Sequence, residues 1–378
     1  MALPPPPSTA PGPDVALRAR AARRAMAYVH RVVGPAGVPS AEMSLCPGFG
    51  QSFDGARARG RLREVLGVDP GFDLDGEGFS AMVALVLLAP GGDPELVRRL
   101  ARQVETCRWR HRYRFLPGPG GLPADTDSTA LTLGALYEAG LLPAAGLRAG
   151  ARELLRSAAP ATGVPRRPAA DRDAGAVRPG VFMVYWEDGE EPGTLPRGRK
   201  QDPVACANAL YTVLLADLPG CDGVRGVADA TVGFLAEHLT SGRFLRGTRY
   251  YPSPDAFLHA VSRLCARFPD TAGPLTAPAR RALEQAGTSA SAVTGSVLEI
   301  ALRVLAADRL GVTAGQDERR ARLARMQRPD GSWPAAASYR MGRFPLFFGS
   351  SFLTTVFALS ALRPARPAPT VPPPRTGE

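Results

Sequence analysis

The chain has 378 residues, 45% hydrophobic and 7% aromatic, with a formal net charge of +11. That content suffices for a large core and excludes global disorder, while the length exceeds a usual single domain without calling for two. The positive charge is arginine scattered along the chain, Lys200 being the sole lysine. Such usage fits a solvated basic surface, so no nucleic acid is expected as partner; a diphosphate or peripheral contact with an anionic membrane remains.

Residues 1–13 are proline-rich and lack the apolar core of a signal peptide, and 364–378 form a second proline-rich stretch. Both are expected to be disordered tails around one domain over 14–363, in the reducing cytoplasm. The spacing predicts an amphipathic helix over 14–33, where Val15, Leu17, Ala22 and Ala25 are separated by arginines. Helices over 56–66, 78–88 and 94–106 follow. A clearer one covers 125–139, with Leu131, Leu133, Leu136 and Tyr137 ahead of a Gly140 stop, and pairs with 144–158. Residues 159–178 read as a long loop, little reads as strand, and 181–185 is the main ambiguous segment. Further helices are predicted over 203–216, 224–239, 254–267, 277–286, 289–310, 317–326 and 350–362. The uncharged run 344–362 is nearly long enough to span a bilayer. Its Gly349-Ser350-Ser351 centre and Thr354-Thr355 pair fit a buried inner helix better.

About a dozen helices in short pairs permit a solenoid or a closed ring of six hairpins. No clean repeat of roughly 34 or 40 residues is visible, which disfavours the solenoid. Five cysteines (Cys46, Cys107, Cys206, Cys221, Cys265) form no CxxC pair, and four histidines (His30, His111, His238, His259) form no HExxH motif. No metal site or disulfide framework is predicted.

The sharpest local feature is Asp125-Thr126-Asp127-Ser128-Thr129-Ala130, ahead of a largely uncharged helix. An acidic N-cap accounts for one aspartate; it does not account for two carboxyls alternating there. This stretch resembles the Asp-x-Asp-Asp-Thr-Ala motif of class II terpene cyclases, the squalene–hopene and copalyl diphosphate types, with Ser128 in place of the last aspartate. The resemblance implies that Asp127 is the acid that protonates an alkene or epoxide, with Asp125 its neighbour and Ser128 and Thr129 in support. A carbon–carbon double bond needs a strong acid held protonated in a dry cavity, which burial beside a second carboxylate provides. Hydrogen-bond donors to the nascent carboxylate then permit proton release. With Ser128 in place of an acid, that donor is not identified by the motif.

A second motif, Gln327-Arg328-Pro329-Asp330-Gly331-Ser332-Trp333, resembles the Gln-xxx-Gly-x-Trp core that ties hairpins together in squalene cyclase and prenyltransferase barrels. Its implied role is structural. The two motifs cover about twenty residues and imply an all-α fold, an α/α toroid of six helical hairpins, whose length leaves room for one barrel.

Aromatic residues near helix starts, Tyr185, Trp186, Tyr250, Tyr251, Phe257, Phe347, Phe348 and Phe352, together with Asn208, are candidate cavity residues. In a cyclase their π faces would stabilise carbocations; each is otherwise ordinary core. Arg108, Arg110, Arg112 and Arg114 are candidates for holding a diphosphate, or else an exposed basic loop. The acidic stretch Glu187-Asp188-Gly189-Glu190-Glu191 is a candidate for magnesium, or else a solvated loop. Relatives of the barrel are set aside: prenyltransferases need a late zinc-ligating histidine, class I synthases an Asp-Asp-xx-Asp motif and lanthionine cyclases a Cys-His-Gly motif, all absent here.

The expected function is protonation-initiated cyclisation of a prenyl diphosphate or a prenylated small molecule. It requires no cofactor, with magnesium needed only for a diphosphate. One alternative is a non-catalytic isoprenoid-binding barrel or partner protein. The other is an all-helical glycoside hydrolase with paired carboxyls. Oligomeric state is left open.

Overall fold

The structure, a computed structural model, describes residues 13–34, 37–118, 121–159, 177–194, 196–219, 223–288, 295–342 and 344–364. The expected tails fall almost wholly outside these, as do most of the loop expected over 159–178 and the start of the helix expected over 289–310.

The helices are α1 (Pro13–Val32), α2 (Gly55–Leu66), α3 (Phe79–Leu88), α4 (Pro94–Glu105), α5 (Thr126–Glu138), α6 (Ala144–Arg156) and α7 (Pro203–Leu215). They continue with α8 (Gly223–Thr240), α9 (Pro254–Arg267), α10 (Pro269–Thr288), α11 (Val297–Arg309), α12 (Gln316–Arg325) and α13 (Ser351–Leu362). Side-chain caps mark many of the starts. Asp93, Asp202 and Ser253 cap helices that open on a proline, whose missing N–H costs nothing at that position. Ser296 and Glu299 form a capping box on α11.

Two kinds of helix divide the labour of burial. α3, α7 and α13 carry no charged residue and are buried on nearly every side, as an inner helix must be. α4 instead buries only Leu96, Val97, Leu100 and Val104 and turns its arginines outward. The pattern matches the packing. α3, α5, α7, α9, α11 and α13 each pack on the next, and α13 packs back on α3. α4, α6, α8, α10, α12 and α1 lie outside them, against α3, α5, α7, α9, α11 and α13 respectively.

Short strands correct the purely helical expectation. β1 (Glu42–Ser44), β5 (Phe347–Gly349) and β4 (Tyr339–Arg340) form an antiparallel sheet in that order, and β2 (Arg108–Trp109) pairs with β3 (Arg112–Tyr113). The uncharged run 344–362 is therefore a strand followed by a helix that begins after the Ser350 cap. The segment 181–185, ambiguous between strand and loop in the sequence, forms isolated bridges, Phe182 to Ala158 and Tyr185 to Asp125. α10 starts eight residues before the 277 expected, with Pro274 and Pro278 inside it. No helix among the described residues is long and apolar enough to cross a membrane.

The glutamine–tryptophan motif is a clasp. The Trp333 ring is fully buried and its indole N–H donates to the Leu323 carbonyl at 2.8 Å. Gln327 Nε2 donates to Ala21 of α1 and to Gly331, at 2.9 and 3.0 Å. Helix α1 is thereby tied to the α12–α13 connection.

Candidate active site

The cavity of interest opens where the inner helices begin. Its walls include Asp125, Asp127 and Ser128 from the start of α5, Ala205 from α7, Tyr250 and Tyr251 just before α9, and Phe348 before α13. Counted with the solvent-open space at its mouth, it spans about 640 Å³.

Asp125 sits in extended backbone as the N-cap of α5. Its carboxylate accepts from the Ser128 backbone N–H at 2.7 Å and from the Ser128 hydroxyl at 2.8 Å. The ordinary capping role thus belongs to Asp125, and Ser128 serves Asp125 rather than Asp127. Thr129 fixes the same turn from behind, its hydroxyl oxygen accepting from the Tyr113 N–H at 2.8 Å.

Asp127, one residue into the helix, is free of that duty. Its Oδ1 accepts from Asn208 Nδ2 at 2.8 Å, and its Oδ2 accepts from the Tyr251 hydroxyl. Asn208 is oriented in turn: its carbonyl oxygen accepts from Arg263 at 3.1 Å, which turns the amide N–H₂ toward Asp127. Tyr251 is placed by the turn before α9, where the Thr248 N–H donates to the Tyr251 carbonyl at 2.7 Å. Asp202, the α7 cap, accepts from the Tyr250 N–H at 3.2 Å and joins that turn to α7.

Burial dominates the electrostatics. Both carboxyls are 7% exposed. Desolvation raises Asp127 to about 6, against the pull of the Tyr251 and Asn208 hydrogen bonds. Desolvation also raises Asp125 to about 7, with the Asp127 charge adding to it. At Asp127, burial thus favours the neutral acid while the two donors favour the anion, and burial is the larger effect.

The cavity is otherwise aromatic. Phe79, Phe115, Tyr339 and Phe348 form one wall, with Tyr339 at 5.1, 4.9 and 4.8 Å from the other three ring centroids in that order. Of the aromatic residues expected from sequence, Tyr185, Tyr250, Tyr251 and Phe348 line this cavity. Others do not. Trp186 is stacked by Arg112 and donates to the Glu153 carbonyl at 2.9 Å. Phe257 packs on His238 and Phe244 in the core, and Phe347 and Phe352 are buried outside the lining. Phe79, Phe115, Tyr339, Arg197 and Arg340 were missed. Phe79, as the first residue of an uncharged helix, fitted the rule used for the others; the rest stand in loops and a short strand that periodicity does not mark. A second cavity, lined by Asn208, His259 and Arg263, shares Phe79 and Tyr251 as a wall.

The basic patch pairs with the acidic stretch and with neighbouring glutamates. Arg108 pairs with Glu105, Arg110 with Glu190, Arg112 with Glu153 and Asp188, and Arg114 with Glu191. None of these four arginines lines the Asp127 cavity. The acidic stretch, its carboxylates met by arginines, does not fit a metal ion. Among the described residues no group of three or more His, Cys, Asp or Glu side chains is placed to hold one.

No protein-family profile matches the chain. Over 187 residues, 48% of the chain, it is 30% identical to the drimenol cyclase of Aspergillus calidoustus, and the match spans only 31% of that protein. Among solved structures, the type II terpene cyclase MstE from Scytonema is similar over 93% of this chain and 97% of that one, with a TM-score of 0.57 and 14% identity. That structure holds geranylgeranyl dihydroxybenzoate as substrate, and another of the same cyclase holds merosterolic acid A as product. A protein from Actinoplanes is similar over 91% of this chain and 98% of that one, with a TM-score of 0.58 and 19% identity. The chain has the fold of the type II terpene cyclases.

Proposed function

We propose that this protein is a class II terpene cyclase in which Asp127 protonates the terminal alkene of a prenyl chain. One observation carries the reading: a buried carboxyl held by two hydrogen-bond donors, Asn208 and Tyr251, over an aromatic-walled cavity. The Asp127 proton passes to the alkene carbon, and the π electrons move to form the new C–H bond and leave a tertiary cation. As the carboxylate charge develops, the Asn208 and Tyr251 donors are already in place, so little reorganisation is needed. The faces of Phe79, Phe115, Tyr339 and Phe348 stabilise the cation without attacking it. Ring closure follows, and loss of a proton or capture of water ends it.

The barrel, in this reading, is an α/α toroid of six hairpins over residues 14–363. The substrate is an isoprenoid, and the drimenol cyclase likeness and the prenylated benzoate of the Scytonema cyclase make both a prenyl diphosphate and a prenylated aromatic acid worth offering. Protonation itself draws on no cofactor. The glycoside hydrolase alternative loses its support, since Trp109, Trp186 and Trp333 all lie away from the cavity lining.

The test is incubation with farnesyl diphosphate, geranylgeranyl diphosphate and a geranylgeranylated dihydroxybenzoate, comparing the wild type with Asp127→Asn. A cyclic product lost in the variant is expected. Equal turnover in the two would overturn Asp127 as the acid, and isoprenoid binding with no product from the wild type would favour the binding-only barrel.

A further inference from the structure

Two arginines stand in the cavity wall without a salt bridge among the described residues. Arg197 and Arg340 are half-buried and line the same cavity as Asp127. Among the described residues neither has a carboxylate within salt-bridge distance, whereas Arg108, Arg110, Arg112 and Arg114 are all paired. Arg340 is also held in place. Its Nε and Nη2 donate to the backbone carbonyls of Arg249 and Thr248 at 2.8 and 2.9 Å. Arg197 is set by its chain, its backbone N–H donating to Glu187 at 2.9 Å. The rings of Tyr185 and Tyr250 lie in the same wall. Burial and nearby Arg249 both disfavour the Arg340 charge, with buried Asp202 opposing them from a distance. Unpaired guanidinium groups in a partly dry wall are costly unless an anion joins them. The carboxyls are 7% exposed and the arginines more open, so the positive charge lies toward solvent and the acid lies deeper.

We propose that Arg197 and Arg340 form an anion site at the cavity mouth, which holds the carboxylate or diphosphate head group of the prenyl substrate while its chain reaches Asp127. The prenyl part rests on the cyclase reading; the anion site does not. Binding therefore tests it separately from turnover. Calorimetry on the Asp127→Asn protein would compare farnesyl diphosphate, a farnesylated dihydroxybenzoate and farnesol. Both or either of the anionic ligands should bind at least tenfold more tightly than farnesol, and which of them does so assigns the head group. Arg197→Ala and Arg340→Gln, each checked for an unchanged melting temperature, should weaken the anionic ligand roughly 10- to 100-fold and leave farnesol within about twofold. Farnesol binding as tightly as the anions, no binding of either anion, or an equal loss for farnesol and anion in both variants would overturn the site. Anion binding without any cyclic product from the wild type would keep the site and overturn the cyclase reading instead.

Discussion

Tyr251 and Asn208 each donate a hydrogen bond to Asp127, and each bond stabilises the carboxylate that forms as the proton leaves. Both therefore lower its pKa, against burial, which raises it to about 6. Tyr251→Phe removes one donor, so the acid becomes weaker and its pKa rises. Turnover should fall roughly 10- to 100-fold, and the alkaline limb of the pH–rate profile, near 6 in the wild type, should move upward. A lowered rate with an unmoved limb would assign Tyr251 to cavity shape alone. The same raised pKa bears on stability. A carboxyl whose folded pKa lies above its unfolded 3.8 contributes most below that value, and the contribution is lost as pH rises through about 6. Asp127→Asn should accordingly raise the melting temperature by a few degrees at pH 8, with the gain vanishing near pH 4. Thermal melts at the two pH values check this; an equal change at both would show that proton linkage is not its source. The motif pointed to these two carboxyls, but not to which one caps the helix, because either spacing is compatible with an acidic N-cap. Only the backbone, extended at Asp125, separates the roles.

At the scale of elements, helices were legible wherever apolar spacing and a cap coincided, as at Asp93-Pro94 and Ser253-Pro254. The break within 344–362 was not. A run without charge carries no period to divide strand from helix, and β5 exists because Glu42–Ser44 and Tyr339–Arg340, distant in sequence, pair with it. The clasp shows the opposite case, a local motif whose geometry can be tested directly. Gly331 has φ +93°, and a Cβ there would lie 2.5 Å from the Arg24 carbonyl oxygen of α1. Gly331→Ala should lower stability by about 1–3 kcal/mol through strain and lost contact, read as a lower denaturation midpoint. The cyclic product should stay the same in kind.

Across the whole molecule, the ring depends on its last helix meeting its first inner one, α13 on α3, with α1 laid over α13 and α12. Trp333 is fully buried at that seam. Trp333→Ala should cost roughly 3–5 kcal/mol, the range for a large aromatic removed from a core. Denaturant unfolding would measure it; a loss under 1 kcal/mol would mean that the seam does not depend on this ring. Closure also explains the site. Residues from α5, α7 and the turn before α9 meet at Asp127 because the inner helices start at one end of the ring, so their caps and preceding loops converge there.

The sequence by itself determined most of the helices, the acidic cap and the turn within the clasp, since each is a matter of neighbours a few residues apart: period, capping chemistry, a glycine in a tight turn. Tertiary structure alone decided what holds the second carboxyl, which aromatic rings face the cavity and which arginines stand without a salt bridge. Those depend on partners such as Asn208, Tyr251 and Tyr339, which lie 81 or more residues from Asp127. No local pattern encodes such meetings; ring closure creates them.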